Sequence, residues 1–190
     1  MSSYGIPPRF QAAALADFPE AVRRAVGDAA EVAGECGGYY IHGPVGTGKT
    51  HLACAILREW IERGVASVTT STRFGYSETR ALFAHAGSFL AALQRTFRAV
   101  PGQPSEAAIV LPLRRARALA LDDLGAERAT DWAQGVLGEL VDFRYRAELP
   151  TIYTGNGAIA DVAAREPRIG DRLSECRVIR LAGKSRRVSR

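Results

Sequence analysis

Gly43-Pro-Val-Gly-Thr-Gly-Lys-Thr50 is the stretch whose reading decides the fold. The apolar run 38–42 precedes it with the pattern of a buried strand. Residues 49–63 follow with helical period, placing Leu52, Ala55, Ile56 and Trp60 on one face, and Gly64 ends the run. Glycines at 43, 46 and 48 let the backbone curl so that its N–H groups face a phosphate, and the helix N-terminus adds partial positive charge. The pattern G-x-x-x-x-G-K-[ST] in a strand–loop–helix context is a phosphate-binding loop. Gly43, Pro44, Val45, Gly46, Thr47, Gly48, Lys49, Thr50 and His51 form the candidate nucleotide-binding set. Lys49 is expected to reach the β- and γ-phosphates of ATP, and the Thr50 hydroxyl to ligate Mg²⁺. As acid–base groups, His42 and His51 are read as packing or surface residues rather than catalysts.

Outward from the loop, four further apolar runs read as strands: 66–70, 118–122, 150–154 and 177–181. Between the last three lie helical patterns, the clearest over 130–147, with Val136, Leu137, Leu140, Val141 and Phe143 in a stripe and Thr130 as N-cap. Strands alternating with helices predict an α/β fold with a parallel sheet covered on both faces. Residues 100–105, Val-Pro-Gly-Gln-Pro-Ser, read as a loop.

Leu119-Ala-Leu-Asp-Asp123 is an apolar strand ending in two carboxylates about 70 residues after the loop, the spacing of a Walker B strand. There Asp122 can hold the Mg²⁺ water shell and Asp123 can orient or deprotonate an attacking water. Thr151-Ile-Tyr-Thr-Gly-Asn156 ends another strand in a polar cluster. Asn156 has two readings: a contact between Asp123 and the γ-phosphate, or an Asn-Gly turn.

The 190 residues suit one domain, and 47% hydrophobic with 24% charged residues is the balance of a water-soluble globular chain. No run approaches the roughly 20 apolar residues of a membrane span, and no signal peptide is read at the N-terminus. Three widely spaced cysteines, Cys36, Cys54 and Cys176, form neither a metal pattern nor a disulfide framework, so a reducing cytoplasm is expected. Residues 165–190 carry nine basic against three acidic side chains, +6 of the chain's +5 net charge, leaving the remainder near −1. A basic end suggests an anionic partner; arginine-rich composition alone explains it equally well.

With these features placed, the chain resembles the DnaC-type helicase loaders and the IstB-type transposition ATPases, AAA+ proteins of the initiator clade. The resemblance rests on Leu121-Asp-Asp-Leu-Gly-Ala-Glu-Arg-Ala-Thr-Asp-Trp132, Leu149-Pro-Thr-Ile-Tyr-Thr-Gly-Asn156, Gly170-Asp-Arg-Leu-Ser-Glu-Cys176 and Leu181-Ala-Gly-Lys-Ser-Arg-Arg187. It implies a five-stranded parallel sheet in the order 5-1-4-3-2. It implies that Asn156 is sensor I, that Arg172 is an arginine finger acting on ATP of a neighbouring subunit with Arg168 nearby, and that Arg187 is sensor II. It implies a homo-oligomer, a helicase or transposase partner, and single-stranded DNA contacts at Phe97, Thr130 and Trp132. Phe97 has a second reading as core, since Leu90, Leu93 and Phe97 share a helical face.

The chain departs from the family in places. The ATPase core is expected to start almost at once, after a lead over 1–20, without a separate partner-binding N-terminal domain or a larger C-terminal lid. An insertion is expected over 71–85, before a helix over 87–98. The second acid is Asp123 where glutamate is commoner, one methylene shorter, so slow turnover is expected. The implied activity is slow, assembly-dependent ATP hydrolysis by a helicase loader or replication accessory protein. A transposition ATPase and a nucleotide-gated DNA-binding switch with little turnover are the alternatives; a small-substrate kinase fits the Asp-Asp-Leu-Gly-Ala-Glu-Arg run less well.

Overall fold

The computed structural model describes residues 5–35, 37–65, 81–98, 102, 104–125 and 130–183. Two short 3₁₀ turns, Pro8–Phe10 and Leu15–Asp17, lead into α1 (Glu20–Val26) and α2 (Ala29–Glu35). There follow β1 (Gly38–His42), α3 (Lys49–Glu62), β2 (Ala81–His85), α4 (Ala86–Thr96), α5 (Glu106–Arg115) and β3 (Ala118–Leu124). The chain continues through α6 (Asp131–Arg146), β4 (Thr151–Gly155), α7 (Ile159–Arg165), α8 (Pro167–Ser174) and β5 (Arg177–Arg180).

Among the described residues the sheet has five strands in the order β2-β3-β4-β1-β5, every pairing parallel. Read from the other edge this is 5-1-4-3-2, the order implied by the resemblance. Period-two alternation divides the core between the two faces. Tyr39, Ile41, Ala118, Ala120 and Ile152 face α3, where they meet Leu52, Ile56 and Trp60. Tyr40, Leu119, Leu121 and Tyr153 face the opposite way, onto Leu90 and Leu93 of α4 and Leu137 and Leu140 of α6. The short alanines of β3 under α3 let that helix sit close to the sheet centre.

One described strand lies where the sequence predicted part of an insertion. The run 66–70 lies outside the described residues, and the strand that pairs with β3 is Ala81–His85, the last part of the expected 71–85 insertion. The physical reason is that β2 is a half-buried edge strand of Ala-Leu-Phe-Ala-His, a weak strand signal beside the β-branched run upstream.

Glycine is required at both ends of β1. Gly38 and Gly43 have φ of 141° and 142°, and a Cβ at either would collide with a neighbouring strand's carbonyl, Thr151 and Leu181 respectively. Beyond Leu121 the β3–β4 register shifts, and Asp123 takes φ 62°, unusual for a residue with a side chain. No helix among the described residues is long and apolar enough to cross a membrane.

Candidate functional site

The loop between β1 and α3, the ends of β2 and β3, and the start of the segment after β4 meet at the carboxyl edge of the sheet. They enclose a cavity of about 360 Å³ lined by Val45, Gly46, Gly48, Lys49, Thr50, His51, His85, Asp122, Asp123, Thr154 and Asn156, with Arg9 and Phe10 at its rim. Ligands of open parallel sheets bind at this edge, outside the strand ends.

Lys49 is the first residue of α3, and its ammonium donates to the carbonyls of Gly43 and Pro44, both at 2.9 Å. It is thereby held over the loop, 8% exposed. The Thr50 hydroxyl reaches Asp122 at 2.9 Å to Oδ1 and 3.1 Å to Oδ2. The Thr154 hydroxyl donates to Asp122 Oδ1 at 2.7 Å and accepts from the Asp123 N–H at 2.8 Å. Burial pushes the Asp122 carboxyl above the usual range, opposed by the Thr154 and Thr50 hydrogen bonds.

This donor set suits one hard divalent cation: a carboxylate and a hydroxyl side by side, next to a loop built for phosphate oxygens. Mg²⁺ is typically held by one or two carboxylates plus substrate phosphates. Accordingly, no group of three or more His, Cys, Asp or Glu able to hold a metal occurs among the described residues.

The structure brings together the nucleotide set, Asp122, Asp123 and the exposed Asn156. His51 lines the cavity but is also a packing residue: Nε2 lies 2.8 Å from Asp17 Oδ2, and its ring meets Phe18 edge-on at 5.1 Å. His42 stacks on Tyr40. Thr154, His85, Arg9 and Phe10 are site residues that the sequence reading missed. Thr154 carried a usable signal, since it lies two residues from Ile152 and so turns to the same face, toward α3. Arg9 and Phe10 carried none, because their place depends on how the N-terminal turns pack on α3.

Arg172 lies elsewhere. It projects from α8 into a cavity of about 890 Å³ whose lining includes Glu35, Gly37, Leu149 and Thr151, residues that lead into β1 and β4 at their amino ends. Its guanidinium pairs with Asp142 at 3.3 Å and Asp171 at 2.8 Å and lies 4.2 Å from the Tyr145 ring centroid. Arg172 and its own chain's phosphate loop thus sit at opposite ends of the sheet. Arg168 is exposed on the same helix. Arg187 lies outside the described residues.

Phe97 caps the C-terminal end of α4 and is 63% exposed, which overturns its reading as core; Leu90 and Leu93, which share its helical face, are buried. Its ring meets Trp132 edge-on, centroids 5.4 Å apart at 77°. Thr130 caps α6, its hydroxyl accepting from the Ala133 N–H at 3.2 Å. Phe97 and Trp132 therefore form an aromatic pair, with Thr130 at the start of the helix that carries Trp132.

No family model matches the sequence, and no curated protein matches it either. Solved structures do. A crystal structure of DnaI superposes with a TM-score of 0.68 at 24% identity, covering 94% of this chain and 96% of that one. The fold is the one that DnaI has. A DnaC helicase loader superposes with a TM-score of 0.68 at 22% identity, covering 93% of this chain and 100% of that one. AMPPCP-bound DnaA from Aquifex aeolicus gives 0.69 at 20% identity over 93% of this chain, which spans only 51% of that protein. At these identities the likeness speaks for the fold.

Proposed function

We propose that this chain binds Mg²⁺–ATP at the carboxyl edge of its sheet and hydrolyses it slowly, as a subunit of an assembly that loads or remodels a replicative helicase on DNA. The observation that carries the reading is the cluster of Lys49, Thr50, Asp122 and Thr154 around the phosphate loop, with Asp123 beside it. In this reading Lys49 and the loop N–H groups hold the phosphates, and Thr50 and Asp122 hold Mg²⁺, which neutralises developing phosphate charge. Asp123 orients the attacking water and Asn156 steadies it.

Arg172 supports the assembly part of the proposal. At the far end of the sheet it faces away from its own loop, and in an assembly it would exchange its Asp142 and Asp171 pairs for a neighbour's γ-phosphate. The AAA+ replication proteins that share the fold include helicase loaders and an initiator solved with AMPPCP and single-stranded DNA. The exposed Phe97, set against the partly buried Trp132, offers a stacking surface for such a strand.

The test is ATPase rate per subunit against protein concentration, with and without single-stranded DNA, on wild type, Arg172→Ala, Lys49→Ala and their mixture. A rate that rises with concentration, is lost in each variant and returns on mixing supports the shared site. A flat, DNA-insensitive rate with an active Arg172→Ala protein defeats it. Tight ATP binding without turnover supports a nucleotide-gated DNA-binding switch instead.

A further inference from the structure

We infer that Tyr40 is a positioning residue for Asn156, a role that rests on reading Asn156 as the group that steadies the attacking water. Tyr40 lies in β1, an interior strand, where it pairs with Tyr153 of β4 and is fully buried. Two residues beyond Tyr153, on the same face of β4, stands Gly155. With no side chain there, the Tyr40 ring passes diagonally over the end of β4, and its hydroxyl donates to the Gly157 carbonyl at 2.7 Å. A Cβ at Gly155 would meet that hydroxyl at 2.8 Å and the Leu124 carbonyl at 3.1 Å. The glycine clears the path by which the tyrosine reaches the loop.

Asn156 sits between these two glycines, exposed, and lines the phosphate-loop cavity. An Asn-Gly turn is by itself a soft piece of backbone, since its glycine accepts many conformations. Here it is tied on both sides. The Ala158 N–H donates to Asp161 Oδ2 at 2.9 Å, and the Tyr40 hydroxyl holds the Gly157 carbonyl from the interior of the sheet. The direction in which the Asn156 side chain leaves the strand end follows from that anchor. The tyrosine is itself held by the sheet and by His42, whose ring stacks on it at 5.6 Å and 10°. Burial pushes its hydroxyl up to about 12, so it keeps its proton and remains a donor at neutral pH. Tyr40 is not among the residues lining the phosphate-loop cavity, so its effect on a reaction there passes through the turn.

Tyr40→Phe removes the hydroxyl and keeps the ring, and the half-buried Gly157 leaves its carbonyl within reach of water. Expected is a fall in ATPase kcat of about tenfold. The Kd of a fluorescent ATP analogue and the melting temperature should stay close to wild type. The decisive comparison is the double variant: acting through Asn156, Tyr40→Phe costs nothing further in an Asn156→Ala chain. Losses that multiply, or a Tyr40→Phe chain with wild-type kcat, overturn the inference and leave a packing hydroxyl. If wild type shows no turnover, or Asn156→Ala keeps all of it, the reading of Asn156 fails. The hold on the turn is then read from ¹⁵N relaxation of the Asn156 and Gly157 amides. Order parameters that drop in Tyr40→Phe support the anchor, and unchanged ones overturn it.

Discussion

Thr154 shows what one hydroxyl does at this site. It is 1% exposed, donates to the Asp122 carboxylate and accepts from the Asp123 N–H, so one side chain orders both acids. Thr154→Val keeps the shape and deletes both bonds, leaving a buried carboxylate and a backbone N–H each short of a partner. Removing one side of a buried hydrogen bond costs about 1–3 kcal/mol. The urea midpoint is therefore expected to fall by that equivalent, and the Mg²⁺ dependence of ATP binding to weaken. An unchanged midpoint would mean that water takes the place of the hydroxyl. The two carboxylates were legible in the sequence because they are chain neighbours at a strand end. The strand period was enough to turn Thr154 to the α3 face, but not to show that it meets the two acids, because it reaches them from an adjacent strand.

At the scale of the element, most boundaries were local properties. The expected helix over 49–63 is α3, Lys49–Glu62, capped by Arg63. The expected 130–147 helix is α6, Asp131–Arg146, with Thr130 as its N-cap. Thr130→Ala removes that cap and is expected to cost about 1 kcal/mol, about 2–4 °C of melting temperature in a chain of this size. ATP affinity, followed with a fluorescent analogue, should be unchanged, since Thr130 is not among the residues lining the phosphate-loop cavity. The run 66–70 lies outside the described residues, and Ala81–His85 went unread as a strand because it lacks the apolar run of a central one and is decided by the register it finds against β3.

Across the whole molecule, Arg144 is the buried joint. It is 0% exposed, and its guanidinium donates to the carbonyls of Leu113, Ala116 and Pro150 and to the Thr151 hydroxyl, binding α6 to the α5–β3 and β4 junctions. Burial brings its pKa down to about 10, still charged at neutral pH. Arg144→Leu strands those acceptors, and each buried acceptor left without a partner costs about 1–3 kcal/mol, a large part of the roughly 5–15 kcal/mol of a typical domain. Arg144→Lys, with three donors, should recover part of the loss. Chemical denaturation of both variants checks this, and a leucine variant as stable as wild type would show that the acceptors find water. Arg144 follows Leu137, Leu140 and Val141 on the buried face of α6.

The sequence by itself determined the phosphate loop, the strand ending in Asp122 and Asp123, and the α/β class, because each is written in consecutive residues whose backbone and hydrophobic period are local. The tertiary structure decided which strand neighbours β3, that Thr154 bonds both acids, that Phe97 meets Trp132, and that Arg172 lies at the opposite end of the sheet from its own loop. Those facts depend on lateral pairing and packing between segments far apart in the chain, which no local pattern encodes.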